Sequence, residues 1–242
     1  RDLHSCPTRR SSDLMRIANG YISMQVGPEI GVASTKAFTA PLIDLYLLAV
    51  FLADERGILS QEDRMRMVMD ISKIPDLIST CLNREKSVEI IAARLKDYDH
   101  MLYIGRGINM PIAYEGALKL KEISYIHAEA YPAGELKHGP IALIDKQMPV
   151  LAIMPRDRWY EKMRSQVEQA KARGGKTIIV ATDGDEDVFE IADEVIWIPE
   201  APWMLNPILA VIPLQILSYH IAAMRGLDVD QPRNLAKSVT VE

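Results

Sequence analysis

The second half of the chain alternates short apolar segments with helical segments, and this alternation restricts the fold more than any other feature. Strands are predicted at residues 101–104, 150–154, 177–181 and 195–198, and helices at 111–124, 159–173 and 207–224. Strands that alternate with helices at this spacing form a parallel sheet with helices on both faces. We therefore expect a complete α/β domain, a doubly wound parallel sheet flanked by helices, over residues 99–242.

The first half of the chain is predicted to be helical, at residues 37–56, 61–82 and 88–95, and supplies no parallel sheet of its own. The first of these helices follows Ser34 or Thr35 and is apolar nearly all round, which predicts a buried helix. Its longest apolar run, residues 42–52, contains Asp44 and is too short to span a bilayer. Residues 15–98 are therefore interpreted as the end of a preceding domain and its linking helices.

Charge and cysteine content exclude several classes of protein. A formal net charge of -5, without a basic block, argues against nucleic acid as the main partner. Two isolated cysteines, Cys6 and Cys81, form neither a disulfide framework nor a zinc-binding spacing. A reducing compartment follows, and with no recognisable signal sequence we expect a cytoplasmic protein that does not bind membranes.

Residues 1–14 read RDLHSCPTRRSSDL and resemble the translation of a common sequencing-adapter oligonucleotide. We interpret them as non-native, with a native disordered basic terminus as the alternative. A foreign segment is left out of fold reasoning, so His4 and Cys6 are given no functional role. This interpretation also implies that the natural protein extends further upstream.

The loop Gly105-Arg106-Gly107 ends the first predicted strand and leads into a helix. Ligands of open parallel sheets bind beyond the carboxyl ends of the strands, and a helix N-terminus favours anions. A strand-to-helix turn that simply needs glycine explains the loop equally well.

The predicted helix at residues 111–124 carries Lys119 and Glu122 three residues apart, so both lie on one face. A carboxylate beside an ammonium suits proton transfer next to a carbonyl group, because one acts as base and the other stabilises charge on oxygen. Gly116 would allow a ligand or another backbone to approach this helix closely. The pattern alone favours a simpler alternative, exposed ion pairs of Glu115 with Lys119 or Lys121 with Glu122.

Residues 126–140 are predicted to form a polar loop, and functional residues concentrate on such loops. His138, beside Lys137, could open a sugar ring as acid or base, although a lone loop histidine is more often simply solvated. A metal site built from His127, Glu129 and His138 fails, because their spacing matches no usual ligand pattern.

The polar C-terminal tail, residues 231–242, has two interpretations. It is either mobile, as most such tails are, or folded back so that Arg233 and Lys237 cover an anionic ligand.

Four segments, residues 31–39, 115–131, 134–140 and 230–242, together resemble the isomerase part of the glucosamine-6-phosphate synthase family. The resemblance runs in order from Gly20 to the last residue. It implies two tandem sugar-isomerase (SIS) domains preceded by a glutamine amidohydrolase domain, in a homodimer. It further implies that glutamine-derived ammonia combines with fructose 6-phosphate, and that a proton moves from carbon 1 to carbon 2 to give glucosamine 6-phosphate. No cofactor is expected.

The resemblance also implies roles for individual residues. Glu122 would be the base that moves the proton, and Lys119 would assist at the sugar oxygens. His138, reaching in from the other subunit, would open the ring, and Lys237 would engage the open-chain carbonyl as a Schiff base. The residues expected to line the sugar site are Val32, Ser34 and Ala236. With these roles, the functional interpretations replace the simple ion pairs and the solvated loop.

Two parts of the family pattern are not found in this sequence. The Ser/Thr-rich loop that holds the sugar phosphate in the first SIS domain does not occur, and residues 155–159 lack the hydroxyls such a loop needs. The amidohydrolase domain is also missing, so we expect little synthase activity from the 242 residues alone. Three alternatives stay open: an SIS-fold fructosamine-phosphate deglycase or isomerase, a sugar-phosphate-sensing regulator, and an inactive dimerisation module.

Overall fold

The computed structural model describes residues 15–236 of the chain. The prediction that residues 1–14 are non-native, and the role predicted for Lys237, both fall outside the described residues.

In the described region from residue 36 to residue 95, four helices precede the sheet, and their positions confirm the sequence prediction. They are α1 (Lys36–Glu55), α2 (Gln61–Ser72), α3 (Ile74–Leu82) and α4 (Glu85–Leu95). Helices α2 and α3 are separated at Lys73, two residues before Pro75 in the first turn of α3. Proline lacks the backbone N–H that would continue a helix, so a new helix begins there.

The expectation that α1 is a buried helix is wrong for the described chain. Only Tyr46 and Val50 are buried, while apolar residues on the outer face, such as Leu45 and Phe51, are exposed. One side of α1 packs into the core, and the described residues leave the other side uncovered.

The expectation that this apolar run is too short to span a bilayer is also wrong. By length and apolar composition, α1 and the segment Trp203–Met224 could each cross a membrane. Of the 18-residue apolar stretch within Trp203–Met224, 67% is buried inside the fold, as in the core helix of a globular domain. The corresponding share for α1 is 11%.

The sheet contains five parallel strands in the order β2-β1-β3-β4-β5. The strands are β1 (His100–Gly105), β2 (His127–Pro132), β3 (Val150–Ile153), β4 (Thr177–Thr182) and β5 (Glu194–Ile198). They are linked by α5 (Met110–Ser124), α6 (Tyr160–Lys171) and shorter turns, and α7 (Asn206–Met224) follows β5. The predicted doubly wound parallel sheet is therefore confirmed.

Alternating strand residues supply two cores, one on each face of the sheet. Met101 and Tyr103 of β1 point into the core shared with α4, α5 and α7, whereas Leu102 and Ile104 point into the core shared with α6. This two-residue period follows from the pleat of a strand. Because both faces are covered, each central strand is apolar along its whole length.

Strand β2 corrects the prediction that residues 126–140 form a loop throughout. Residues 127–132 pair with β1 at one edge of the sheet, and the loop begins only after Pro132. The small residues Ala128 and Ala130 face the core, and the polar residues between them face outward. An edge strand with polar residues at every second position has too little apolar character to be recognised as a strand.

The helices before the sheet also contact it through ion pairs. Arg84 Nη1 lies 2.6 Å from Asp183 Oδ1, and Arg94 Nη1 lies 2.7 Å from Glu194 Oε1. The assignment of residues 15–98 to part of a preceding domain stays a prediction.

Candidate active site

Helix α5 presents three ionisable side chains on one face near its C-terminal end. Lys119 Nζ donates a hydrogen bond to Glu122 Oε2 at 2.7 Å and lies 3.4 Å from Glu115 Oε1. Positions 115, 119 and 122 are neighbours on a helix surface because of its 3.6-residue turn. The predicted association of Lys119 with Glu122 is therefore confirmed, whereas Lys121 forms no ion pair with Glu122.

Burial distinguishes this cluster from a surface ion pair. The side chains of Lys119 and Glu115 are 4% and 7% exposed, and that of Glu122 is 22% exposed. Removing charged groups from water is unfavourable, and apolar side chains of similar volume often stabilise such a position better. A buried helix face that keeps three ionisable groups is therefore a candidate functional site.

Glu115 is a site residue that the sequence suggested only as a surface ion-pair partner. Burial raises the pKa of its carboxyl above the ordinary value, although the Lys119 ammonium acts to lower it. Its Oε1 atom has no hydrogen-bond partner among the described residues, because 3.4 Å is long for a hydrogen bond from Lys119. Glu115 thus acts on Lys119 mainly as a nearby negative charge.

Gly116, which has no side chain, allows α5 to pack closely against α7 and β1. A Cβ atom there would lie 2.7 Å from Leu214 of α7 and 2.9 Å from Tyr103 of β1. Both neighbours are protein side chains, so this glycine serves packing of the helix and not approach of a ligand.

A cavity of about 310 Å³ lies beside Lys119. Its walls come from the loop before α1, from α5, from α7 and from the segment after α7. The lining residues are Pro28, Glu29, Ile30, Gly31, Ala33, Thr35, Lys36, Lys119, Ile123, Gln215, Tyr219, Val229 and Asp230. Ligand sites of small molecules typically have volumes from about 300 Å³ upward, so this cavity is at the small end of the range.

The carboxylate of Glu29 holds the loop before α1 in place. Its Oε1 atom accepts hydrogen bonds from the backbone N–H of Thr35 at 2.8 Å and of Ala37 at 3.3 Å. Burial acts to raise the pKa of Glu29, but these backbone donors outweigh it and lower the pKa. Glu29 therefore satisfies free N–H groups at the start of α1, where the Thr35 side chain forms no capping hydrogen bond.

The predicted sugar-site residues Val32 and Ser34 lie in this loop but do not line the cavity, whose wall is formed by the alternating residues Gly31, Ala33 and Thr35. The backbone N–H of Val32 instead donates to the carbonyl of Asp230 at 2.9 Å. Ala236, the third predicted residue, is exposed at the end of the described chain.

The segment after α7 is folded back against the cavity, which favours the second interpretation of the tail as far as Ala236. Its path differs from the prediction, because the Arg233 guanidinium lies over the ring of Tyr125, 4.2 Å from the centroid, and not over an open anion site.

His138 lies far from this cluster within one chain. It is exposed and follows β2, whereas Glu122 lies near the end of the helix that precedes β2. The six residues of β2 span about 20 Å between these two ends. His138 thus lies toward the carboxyl ends of the strands and Glu122 toward their amino ends.

The loop Gly105-Arg106-Gly107 matches a plain glycine-requiring turn better than an anion site. Gly107 has a φ of +58°, and a Cβ atom there would lie 2.4 Å from Trp159 Nε1. A Cβ atom on Gly105 would lie 2.5 Å from the carbonyl oxygen of Asn109. The Arg106 guanidinium stacks over Trp159, so the crevice at this end of the sheet is filled by the protein itself.

Residues 94–225 match the SIS domain family. The glutamine–fructose-6-phosphate aminotransferase (isomerizing) of Aquifex aeolicus is 55% identical over 231 residues, which are 96% of this chain and 38% of the relative. That of Chlorobaculum tepidum is 53% identical over 216 residues, 89% of this chain and 35% of the relative. The chain thus spans less than two fifths of the curated relatives it matches.

A solved structure described as the C-terminal domain of glucosamine-fructose-6-phosphate aminotransferase from Francisella tularensis has the same fold. It superposes with a TM-score of 0.84 at 40% identity, covering 90% of this chain and 61% of that chain.

Proposed function

The chain belongs to the SIS domain family, and on that basis we propose that it carries the isomerase chemistry of a glutamine–fructose-6-phosphate aminotransferase. Ammonia released from glutamine would add to carbon 2 of fructose 6-phosphate with loss of water. Removal of a proton from carbon 1 and return of a proton to carbon 2 would then give glucosamine 6-phosphate. The reaction is placed in the cytoplasm, which suits a chain without a disulfide framework.

The observation that carries this proposal is the contact between Lys119 and Glu122 beside the cavity. Glu122 is the more exposed carboxylate of the cluster, so it is the one a ligand can approach. We assign to Glu122 the transfer of the proton between carbon 1 and carbon 2, because a general base must lie within hydrogen-bond reach of the carbon it deprotonates.

Lys119 and Glu115 support Glu122 electrostatically. Lys119 Nζ donates a hydrogen bond to Glu122 Oε2 and so orients the carboxylate that is to accept the proton. When Glu122 becomes protonated, the charge of Lys119 is still opposed by the carboxylate of Glu115. The ammonium also supplies a donor for the sugar oxygen that gains negative charge in the transition state.

His138 and Lys237 complete the proposed site. His138 opens the sugar ring from the second subunit of a homodimer, because the length of β2, about 20 Å, lies between it and Glu122 of its own chain. Lys237 follows Ala236 and is assigned the Schiff base with the open-chain carbonyl: its amine adds to carbon 2 and the carbonyl oxygen leaves as water. Ammonia then displaces the Lys237 amine, so the net change at carbon 2 is addition of ammonia with loss of one water. Contacts to the sugar are proposed for the loop residues Val32 and Ser34, through their backbone, and for Ala236.

The proposal is tested in a chimaera in which residues 15–242 replace the matching region of the Aquifex aeolicus relative. We expect the chimaera to form glucosamine 6-phosphate from glutamine and fructose 6-phosphate. The substitution Glu122→Gln should lower kcat about 100- to 10,000-fold and leave KM nearly unchanged, because it removes a base and keeps the shape.

The matched control is Glu89→Gln, which alters an exposed ion pair with Lys86 on α4 and should leave kcat unchanged. A Glu122→Gln chimaera with kcat within threefold of the parent would contradict the assignment of Glu122 as the base.

A further inference from the structure

The segment from Asp228 to Ala236 is attached to the rest of the fold at two points. At the first, the carbonyl of Asp230 accepts a hydrogen bond from the backbone N–H of Val32 at 2.9 Å. At the second, the backbone N–H of Arg233 donates to the hydroxyl of Tyr125 at 2.7 Å. The first contact joins the segment to the cavity loop, and the second joins it to the end of α5.

The segment is also ordered internally. Asp228 Oδ1 accepts hydrogen bonds from the backbone N–H groups of Asp230 and Gln231, both at 2.9 Å, which fixes a turn. Asp230 lines the cavity, and a Cβ atom on Gly31 would lie 3.2 Å from its carboxylate. The segment therefore forms one wall of the cavity.

Tyr125 has an unusual backbone conformation at the point where it holds the segment. It ends α5 with φ of 60°, in the left-handed region that glycine or asparagine usually occupies at a helix end. A residue with a large side chain is unfavourable there. The conformation persists because the Tyr125 ring stacks under the Arg233 guanidinium and the Tyr125 hydroxyl accepts a hydrogen bond from the Arg233 backbone N–H.

We propose that Tyr125 is a positioning residue, which fixes the C-terminal segment against the cavity and sets where the chain leaves Ala236. The proposal rests on the proposed function, because only there does the segment lead to a reacting group, Lys237. Tyr125 lies three residues after Glu122, so the same helix end fixes the base and the segment. At this helix end their relative placement depends on one hydrogen bond and one stacked ring, while the bond between Val32 and Asp230 holds the segment at the cavity loop.

The hydrogen bond is tested on the 242-residue chain itself by amide hydrogen exchange of Tyr125→Phe. Phenylalanine keeps the ring under Arg233 and removes only the hydroxyl. We expect exchange of the Arg233 amide to become about three- to tenfold faster, the change produced by loss of one ordinary hydrogen bond. Exchange of the amides in the central strand β3 should stay the same.

The matched control is Tyr46→Phe, which also removes one tyrosine hydroxyl, in this case one that donates a hydrogen bond to the backbone carbonyl of Met67. It lies on α1, away from the segment, and should leave the Arg233 amide unchanged. If Tyr125→Phe alters the Arg233 exchange by less than twofold, or no more than Tyr46→Phe does, the anchoring role is wrong.

The positioning role is tested in the chimaera described above. We expect Tyr125→Phe to lower kcat about three- to tenfold with KM for fructose 6-phosphate within twofold, because the reacting groups are misplaced while the sugar still binds. Faster Arg233 exchange with unchanged kcat would overturn the positioning role. An inactive parent chimaera would count against the proposed function, and the exchange data would still decide whether Tyr125 anchors the segment.

Discussion

The two ends of the parallel strands, here called the carboxyl edge and the amino edge of the sheet, differ in what they present to a ligand. At the carboxyl edge, beyond β1 and β3, Trp159 fills the crevice and Arg106 stacks on it. At the opposite, amino edge, α5 brings Lys119 to the wall of an open cavity, and Lys119 contacts Glu122. Open parallel sheets with the strand order 2-1-3-4-5 usually bind ligands at the carboxyl edge, next to the switch in strand order. In this domain the buried ionisable cluster of α5 lies at the other edge.

This comparison shows that a candidate site can lie away from the carboxyl ends of the strands, where open parallel sheets usually bind ligands. The amino edge gains a cavity only because the loop before α1 and the segment after α7 meet there, joined by the bond between Val32 and Asp230. Both pieces lie outside the alternating strands and helices of the sheet. The position of the site is thus set by the additions to the fold, and function has to be argued from them.

The largest effect on stability is expected at the amino edge, for Lys119→Met. Loss of the ammonium leaves Glu115 and Glu122 without their cation, one of them almost fully buried. Leaving a buried charge uncompensated lowers the free energy of unfolding by about 3 kcal/mol. Urea unfolding of the 242-residue chain measures it.

Two further variants decide whether the missing charge is the cause. Lys121→Met removes an exposed lysine from the same helix and should alter stability by less than about 0.5 kcal/mol. The double variant Glu115→Gln/Lys119→Met should recover part of the loss. Equal losses of unfolding free energy for Lys119→Met and Lys121→Met would show that the charge of the buried Lys119 contributes no more to stability than that of an exposed lysine.

A smaller effect concerns the pH dependence of stability. Because burial raises the pKa of Glu115, the folded protein binds this proton more tightly than the unfolded chain does. The wild type should therefore lose stability relative to Glu115→Gln as the pH rises from the ordinary glutamate pKa, about 4.5, through the raised folded value. Above that value the difference should be constant.

Urea unfolding of both proteins between about pH 4 and pH 7 measures this difference. A wild type that gains stability relative to Glu115→Gln over the same interval would show that Lys119 outweighs burial at Glu115.

The smallest effect is expected from Gly107→Ala at the carboxyl edge. Alanine is unfavourable at φ of +58°, by about 1 kcal/mol, and its Cβ atom also displaces Trp159. Gly184→Ala is the matched control, because Gly184 has φ of +76° and nothing within 4 Å of the added atom. The additional loss of unfolding free energy in Gly107→Ala, relative to Gly184→Ala, measures the cost of displacing Trp159.

Gly107→Ala also tests whether the two edges are independent. Calorimetric binding of fructose 6-phosphate to the 242-residue chain should be unchanged by this substitution. Weaker binding in Gly107→Ala, but not in Gly184→Ala, would move the sugar site to the carboxyl edge.

Sequence patterns predicted the parts of this molecule that depend on local periodicity. Central strands such as β3 and β4 are continuous apolar runs because both of their faces are buried, so they could be located from sequence. Helical spacing predicted that Lys119 and Glu122 share one face, although the pattern alone favoured pairs of Glu115 with Lys119 or Lys121 with Glu122. The edge strand β2 was missed because its buried positions, Ala128 and Ala130, are alanines, which are depleted in strands.

Features that depend on packing between distant segments could not be predicted. Trp159 carries no signal that it fills the crevice next to Gly107, and Glu115 resembles any surface glutamate in sequence. The stacking of Arg233 on Tyr125 joins residues 108 positions apart, so no local pattern encodes it. These contacts arise only once the sheet has placed the segments side by side.

The most direct test of the central claim, that Glu122 and His138 act in one site from opposite edges of two subunits, is activity of mixed dimers. In the chimaera, Glu122→Gln and His138→Asn dimers should each be inactive. A mixed dimer of the two should regain about half of the parent activity, since one of its two sites is intact. A dimer of the double variant with the parent should be inactive, since each site then carries one substitution. The opposite result, an inactive mixed dimer and an active dimer of double variant with parent, would place both residues in the site of a single chain and contradict the account.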